Sequence, residues 1–358
     1  MLRIDGMLDP HTHLRDLDWA HKATFDSETR AAIAGGYTAV FDMPNTPPNT
    51  TDRAALQMKL DMLNTSALCD FGVYFGASQA DNTTEYAGLT GVCGLKIFNN
   101  ATTGNLLIDN QADRDKHYAA WTIGRTVSVH AEGETVRDIL EMVRKYRRPT
   151  HFLHVSTAQE IRYLREAKAA GLPVTLGVCP HHLYLTEADV AHLGPLGMMK
   201  PDLKTQADQA ALWAALADGV VDVIESDHAP HTLADKHNAE GRPVYGVPGL
   251  ETTLPLMLLA VREGRLSAEQ LPALLADNPR RIFGLPMPPD TYTLIDADAR
   301  YEITNDALHT APGWSPFAGM TVYGKVREVW IRGTQVYDRE RFLVEPGFGV
   351  NLYGEDNL

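Results

Sequence analysis

Short apolar runs rich in β-branched residues recur over the first 230 positions, each followed by a stretch with helical spacing of apolar residues. The runs predict strands over Arg3–Asp9, Thr38–Met43, Asp70–Gly76, Cys93–Phe98, Val127–His130, His151–Val155, Pro173–Cys179 and Val221–Ser226. The intervals predict helices over Ser27–Ala34, Asp52–Leu63, Asp113–Trp121, Thr135–Tyr146, Ala158–Ala170 and Gln206–Ala217. Thr157 and Glu160 have capping-box spacing. Gly35-Gly36 and Gly171 stand where helices should stop, since glycine takes the left-handed cap conformation without steric cost.

Strands that are apolar on both faces and separated by helices read as parallel strands covered on both sides. Eight of them predict an α/β chain folded as a (β/α)8 TIM barrel. An open doubly wound sheet also fits the pattern, although no G-x-G-x-x-G follows the first strand. After Phe283 the pattern changes. Leu285-Pro286-Met287-Pro288-Pro289 reads as a linker, and Tyr292–Asp296 and Thr321–Tyr337 as short strands. The expected division is a barrel over 1–285 and a small β-rich extension over 286–358 packed on it.

Length and composition fit this picture. The 358 residues, 44% hydrophobic and 22% charged, suffice for one large core with an appendage. No run of apolar residues reaches membrane-spanning length, and MLRIDGMLDPHTH lacks signal-peptide character, so a cytoplasmic location is expected. Cys69, Cys93 and Cys179 lie far apart, which argues against a disulfide framework and a zinc finger. The net charge of -14 argues against nucleic acid as partner, and an anionic substrate would need a local cation in its site.

Metal-competent residues recur at the ends of the expected strands. Asp9-Pro10-His11-Thr12-His13 ends the first, and residues i and i+2 of a strand point the same way, so His11 and His13 can reach one metal. Lys96, His130, His154 and Asp227 end later ones. In a parallel barrel these ends meet on one face, where catalytic groups sit. A single buried histidine is usually core packing, but four with an aspartate at one rim point to a metal centre. Lys96, between Leu95 and Ile97, cannot stay charged and unpaired on a buried strand without large cost. It can pair with Asp227, titrate to neutral, or react with carbon dioxide to give a carbamate that spans two cations.

The series Asp9-Pro10-His11-Thr12-His13-Leu14-Arg15, Met43-Pro44-Asn45-Thr46, Gly94-Leu95-Lys96, His130-Ala131-Glu132, His154-Val155-Ser156-Thr157, Pro180-His181-His182-Leu183, Ser226-Asp227-His228-Ala229-Pro230-His231, Pro248-Gly249-Leu250-Glu251-Thr252 and Asn278-Pro279-Arg280-Arg281-Ile282-Phe283 resembles the dihydroorotase branch of the amidohydrolase superfamily. Its second half also resembles the dihydroorotase domain of the animal multifunctional pyrimidine-synthesis protein. The resemblance implies a barrel of the amidohydrolase type that interconverts dihydroorotate and N-carbamoyl-aspartate through a metal-bridging hydroxide. It implies two divalent metal ions, zinc being expected, although cobalt or manganese suits the same ligands. His11, His13 and Asp227 would bind one ion and His130 and His154 the other, with carboxylated Lys96 between them. Asp227 would also move the proton from water to the leaving nitrogen. Arg15, Asn45 and His231 would hold the substrate carboxylate, joined by Gly249, and Thr102-Thr103 would form a covering loop. Arg15 alone reads equally as an ion pair with Asp16 or Asp18, and Thr102-Thr103 equally as an ordinary polar loop.

Departures from the family pattern shape further expectations. Lys200 stands where relatives use an asparagine or arginine. Leu153 and Gly177 occupy places where the animal domain offers groups for a third metal, so two metals are expected. Cys179 reads as a buried small residue, and His181, His182 and His228 as packing or support. A homodimer and an association with aspartate carbamoyltransferase are expected partners. The competing readings are a hydantoinase, dihydropyrimidinase or allantoinase, and an inactive dihydroorotase-like scaffold.

Overall fold

The computed structural model describes residues 1–237 and 244–354; residues 355–358 of the expected extension lie outside them. One sheet runs in the order β2 (Leu8–Thr12), β3 (Ala39–Asp42), β4 (Asp70–Gly76), β5 (Gly94–Phe98), β6 (Thr126–His130), β7 (Thr150–Phe152), β8 (Val174–Val178) and β9 (Val223–Ile224). Every neighbouring pair is parallel. Thr12 bridges in parallel to His228, and His13 N donates to His228 O at 2.7 Å, which joins the last strand to the first and closes the barrel. The expected helices are present with their ends moved by up to three residues, and Asn110, Asp52 and Thr157 cap three of them through side-chain oxygens.

The expected first strand divides. Gly6, at φ +57°, turns the chain where an added Cβ would fall 2.7 Å from Arg280 Nε and from Met287 Sδ. Before it, β1 (Leu2–Asp5) pairs antiparallel with β10 (Tyr292–Glu302). A five-stranded antiparallel sheet follows in the order β1, β10, β11 (Thr321–Ile331), β12 (Thr334–Asp338) and β13 (Arg341–Phe342). The helix Leu250–Arg262 escapes the sequence pattern, because its apolar residues run almost all round and Pro255 interrupts it.

The main core lies between the strands and the helices. A second cluster joins Leu8, Phe41, Tyr74 and Leu153 to Phe283 and Tyr353. Tyr353, from the last described turn, reaches the lower end of the barrel and donates its hydroxyl to Phe283 O at 2.9 Å. Among the described residues no helix is long and apolar enough to cross a membrane. All three cysteines are free and buried.

Candidate active site

The opposite, C-terminal end of the barrel carries the polar side chains. Asp9 is wholly buried and accepts from His11 N (3.0 Å) and Ser226 N (3.1 Å), tying the first barrel strand to the segment after the last. Burial pushes the Asp9 carboxyl up to about 8. Further along, Leu14 N donates to Asp42 Oδ1 at 2.7 Å, and Arg15, Asp16 and Leu17 take φ of 67°, 58° and 50° in succession. Three consecutive left-handed residues without glycine are strained, and the surrounding contacts hold them.

His11 Nε2 and His13 Nε2 face the same Asp227 Oδ1, at 3.2 and 3.3 Å. Asn45 Nδ2 donates to Thr103 O (2.9 Å), which orients the amide so that Oδ1 accepts from His13 Nδ1 (2.8 Å). His13 therefore carries its proton on Nδ1 and turns a lone pair toward Asp227. At β6, Glu132 accepts from His130 Nε2 at 3.0 Å, leaving Nδ1 as that ring's lone pair. His154 lies beyond the end of β7 at φ +38°, with its ring centre 4.4 Å from that of His130 and 5.1 Å from that of His11. Burial holds all four imidazoles below the usual histidine range, His11 at about 4, so each is a neutral donor of electron pairs near pH 7.

Lys96 Nζ is buried and has no hydrogen-bond partner; it stands 4.6 Å from the centre of the Phe98 ring. Burial pushes its ammonium down to about 7, against the pull of Asp227 and Glu225. His154 Nδ1 is also buried without a partner. Ligand atoms of His11, His154 and Asp227 lie within 4.8 Å of one another, a spacing that can hold a metal ion.

One narrow cavity is lined by these residues together with Arg15, Asn45, Thr102, Thr103, Lys200 and Tyr245. Arg15 is buried, donates through Nε to Pro230 O (3.1 Å), and leaves Nη1 unpartnered. Lys22 Nζ lies 3.0 Å from His231 Nδ1 and can only donate, so His231 carries its proton on Nε2 and gives it to Tyr245 O (2.9 Å). Arg15 Nη2, 3.0 Å from the same Nε2, therefore meets another donor rather than an acceptor. Thr103 Oγ1 donates to Tyr245 O (3.1 Å), drawing the loop across the cavity.

Not every expected residue is in this group. Gly249 stands outside the cavity, behind Asp227: its N–H donates to His228 Nδ1 (3.1 Å), and an added Cβ would meet Ser226 O at 2.9 Å. Lys200 reaches the rim but pairs with Asp202 at 2.7 Å. Cys179 is buried, with its thiol pushed well up by burial, and groups with His181 and His182, whose Nε2 donates to Pro201 O. Three polar residues went unassigned in the sequence: Glu225, Glu132 and Lys22. Glu225 carried a readable signal, since it stands two residues before Asp227 on an otherwise apolar strand end.

The Amidohydrolase family model matches residues 5–336 of the chain. The chain belongs to the amidohydrolase family. Among curated relatives, this amidohydrolase is 40% identical over 354 residues to the multifunctional protein CAD of Squalus acanthias, covering 98% of the chain. It is 37% identical to the multifunctional protein pyr1-3 of Dictyostelium discoideum, over 99% of the chain. The chain spans only 16% of the length of each of these two relatives. It is 33% identical to the dihydroorotase of Pyrococcus furiosus, covering 96% of the chain and 83% of that protein. Among solved structures, the L-hydantoinase of Arthrobacter aurescens superposes with a TM-score of 0.90 at 26% identity, over 97% of the chain and 88% of that structure. The inactive dihydroorotase-like domain of a Chaetomium thermophilum CAD-like multifunctional protein gives 0.81 at 26% identity, over 98% of both.

Proposed function

We propose that this amidohydrolase chain interconverts dihydroorotate and N-carbamoyl-aspartate at a pair of divalent cations, with zinc the metal. One observation carries the reading. A buried arginine with a free Nη1 lines the same cavity as an unpaired buried lysine, four histidines and an aspartate. A hydantoin-type ring has no exocyclic carboxylate to satisfy that arginine; dihydroorotate does.

His11, His13 and Asp227 would hold one cation and His130 and His154 the other. Lys96 would help hold both as a carbamate: its neutral amine would attack carbon dioxide, form an N–C bond and lose a proton, which would convert an unpaired buried amine into an anion able to hold cations. When bound, two such cations lower the pKa of water toward neutrality and polarise an amide carbonyl. Asp227 takes the proton of the attacking water on its carboxylate and returns it to the ring nitrogen as the C–N bond breaks. The products are a carboxylate and the ureido N–H, and the reverse sequence closes the ring. Arg15 and Asn45 grip the exocyclic carboxylate and fix which ring carbonyl is presented; His231, held by Lys22 and Tyr245 outside the cavity lining, would join them only by giving up its Nε2 hydrogen bond to Tyr245 O. Thr102 and Thr103 close over the ring and exclude bulk water.

The test is turnover of dihydroorotate, hydantoin and allantoin side by side, each with and without a chelator. Chelator-sensitive turnover of dihydroorotate alone is the expected result. Preference for hydantoin would favour the second reading, that of a hydantoinase, for which the 0.90 superposition on an L-hydantoinase speaks. No chelator-sensitive turnover of any ring, even after zinc and bicarbonate are supplied, would favour an inactive scaffold. A homodimer and association with aspartate carbamoyltransferase belong to the same proposal. Sedimentation of the chain alone and mixed with that enzyme tests both.

A further inference from the structure

Glu225 has no part in the chemistry described above, yet it is a wholly buried carboxylate beside the site. Its side chain has no exposure to solvent. Oε1 accepts the backbone N–H of His154 at 2.5 Å, and the same oxygen lies 3.7 Å from His11 Nδ1. That nitrogen is buried and has no hydrogen-bond partner. On the other side, Oε2 accepts from His151 Nε2 at 3.3 Å, and His151 Nδ1 lies 2.8 Å from Thr175 Oγ1. The carboxylate is thus held from β7 and the residues just beyond it, with His151 steadied by Thr175 of β8, while it faces the ligands at the ends of β2 and β7. Space for it comes from Gly177: a Cβ there would fall 2.5 Å from the Glu225 carboxyl carbon and within 2.8 Å of both its oxygens.

We infer that Glu225 is a positioning residue that locks His11 and His154 for metal binding, and that Gly177 exists to admit its carboxylate. The inference rests on the proposed ligand set. A ring that gives Nε2 to a cation carries its proton on Nδ1, and that proton needs an acceptor in a buried site. Oε1 is the polar atom facing it. The same oxygen fixes the His154 backbone at φ +38°, a conformation that a non-glycine residue leaves unless something holds it. One carboxylate therefore governs a ligand of each of the two cations. A carboxylate behind a ligand histidine also raises the basicity of the ring, and loss of such partners typically weakens metal binding by about 10- to 100-fold.

The experiment measures zinc affinity by chelator competition in wild type, Glu225→Gln and Gly177→Ala, beside the thermal melting of each metal-free protein. The amide of Glu225→Gln keeps the volume but cannot accept from His154, His151 and His11 together. Gly177→Ala keeps the glutamate and displaces its carboxylate. The expected result is a 10- to 100-fold loss of zinc affinity in both variants. At saturating zinc, kcat should fall while KM for dihydroorotate changes little, because Arg15 is untouched. Wild-type zinc affinity in a folded Glu225→Gln protein would overturn the inference; should that variant not fold, wild-type affinity in Gly177→Ala would overturn it. Wild-type protein that binds no zinc would overturn the ligand set itself, a result separate from a wild type that binds two ions and a variant that binds them equally well.

Discussion

Lys59 Nζ stands 2.7 Å from Asp42 Oδ2, and neither side chain has any exposure to solvent. The pair lies one layer beneath the site. Asp42 Oδ1 accepts from Leu14 N, between His13 and Arg15, and Lys59 also donates to Met43 O at 2.9 Å, two residues before Asn45. Removing one partner strands the other charge in the interior. Lys59→Met is expected to destabilise the fold by about 3–5 kcal/mol. Lys59→Met with Asp42→Asn should recover part of that loss. Urea unfolding of both variants checks this; a single variant as stable as wild type would refute it.

Arg15→Met removes the fork and keeps a buried apolar stem. Truncating one partner of a buried charge pair costs about 2–5 kcal/mol. For dihydroorotate, kcat/KM should therefore fall by a hundredfold or so, with zinc content unchanged. Steady-state kinetics beside metal analysis of the same sample separates loss of the carboxylate grip from loss of the metal centre. Undiminished kcat/KM removes Arg15 from substrate binding.

Native mass spectrometry of wild type should show one carbon dioxide above the chain mass with bound metal, lost on acidification. Lys96→Met should lack that increment, hold less zinc and lose turnover by about a hundredfold or more, since partners one layer further out already matter by about 10- to 100-fold. Metal-free protein should regain activity slowly in zinc alone and faster with bicarbonate. Full reactivation by zinc in carbonate-free buffer would count against the carbamate.

Glu28 gives the pH dependence. Burial pushes its carboxyl up, but His228 Nε2 at 2.7 Å, Ala311 N at 2.9 Å and Thr310 Oγ1 at 2.6 Å pull harder and leave it below 4.5. The unfolded chain thus takes up this proton at higher pH than the folded one. The stabilisation is complete above about 4.5 and is lost as the pH falls through the lower folded value. Glu28→Gln should be less stable at neutral pH by about 1–3 kcal/mol and show a shallower acid slope. Denaturant unfolding across an acid pH series measures both; an unchanged slope would exclude Glu28 as a source.

The barrel was legible because its strands are apolar runs that end in residues of one chemical kind. His11, His13, Lys96, His130, His154 and Asp227 stand out against Val, Ile and Leu, and the structure brings them around one cavity. What stayed hidden depends on relations between distant parts of the chain. Nothing local marks Lys22 as the partner of His231, or Gly177 as the space for Glu225. The positive φ of His154 and Asp227 has no signature either, since neither is a glycine. Gly249 sits in a quoted motif but supports His228 from behind, a role its spacing could not distinguish from substrate contact. The helix Leu250–Arg262 was masked by its own burial, and the Gly6 break by the apolar residues on either side of it.

Tyr353 seals the lower mouth of a cylinder whose first strand begins at Leu8. During synthesis the ribosome must deliver everything from Leu8 to Tyr353 before that seal can form. Until then the rings of Phe41, Tyr74 and Phe283 remain open to water at the underside, while the earlier strands are already free to pair. Such a nascent barrel is a sticky intermediate with high contact order, and its yield in a cell should depend on chaperones more than the finished molecule's stability would suggest.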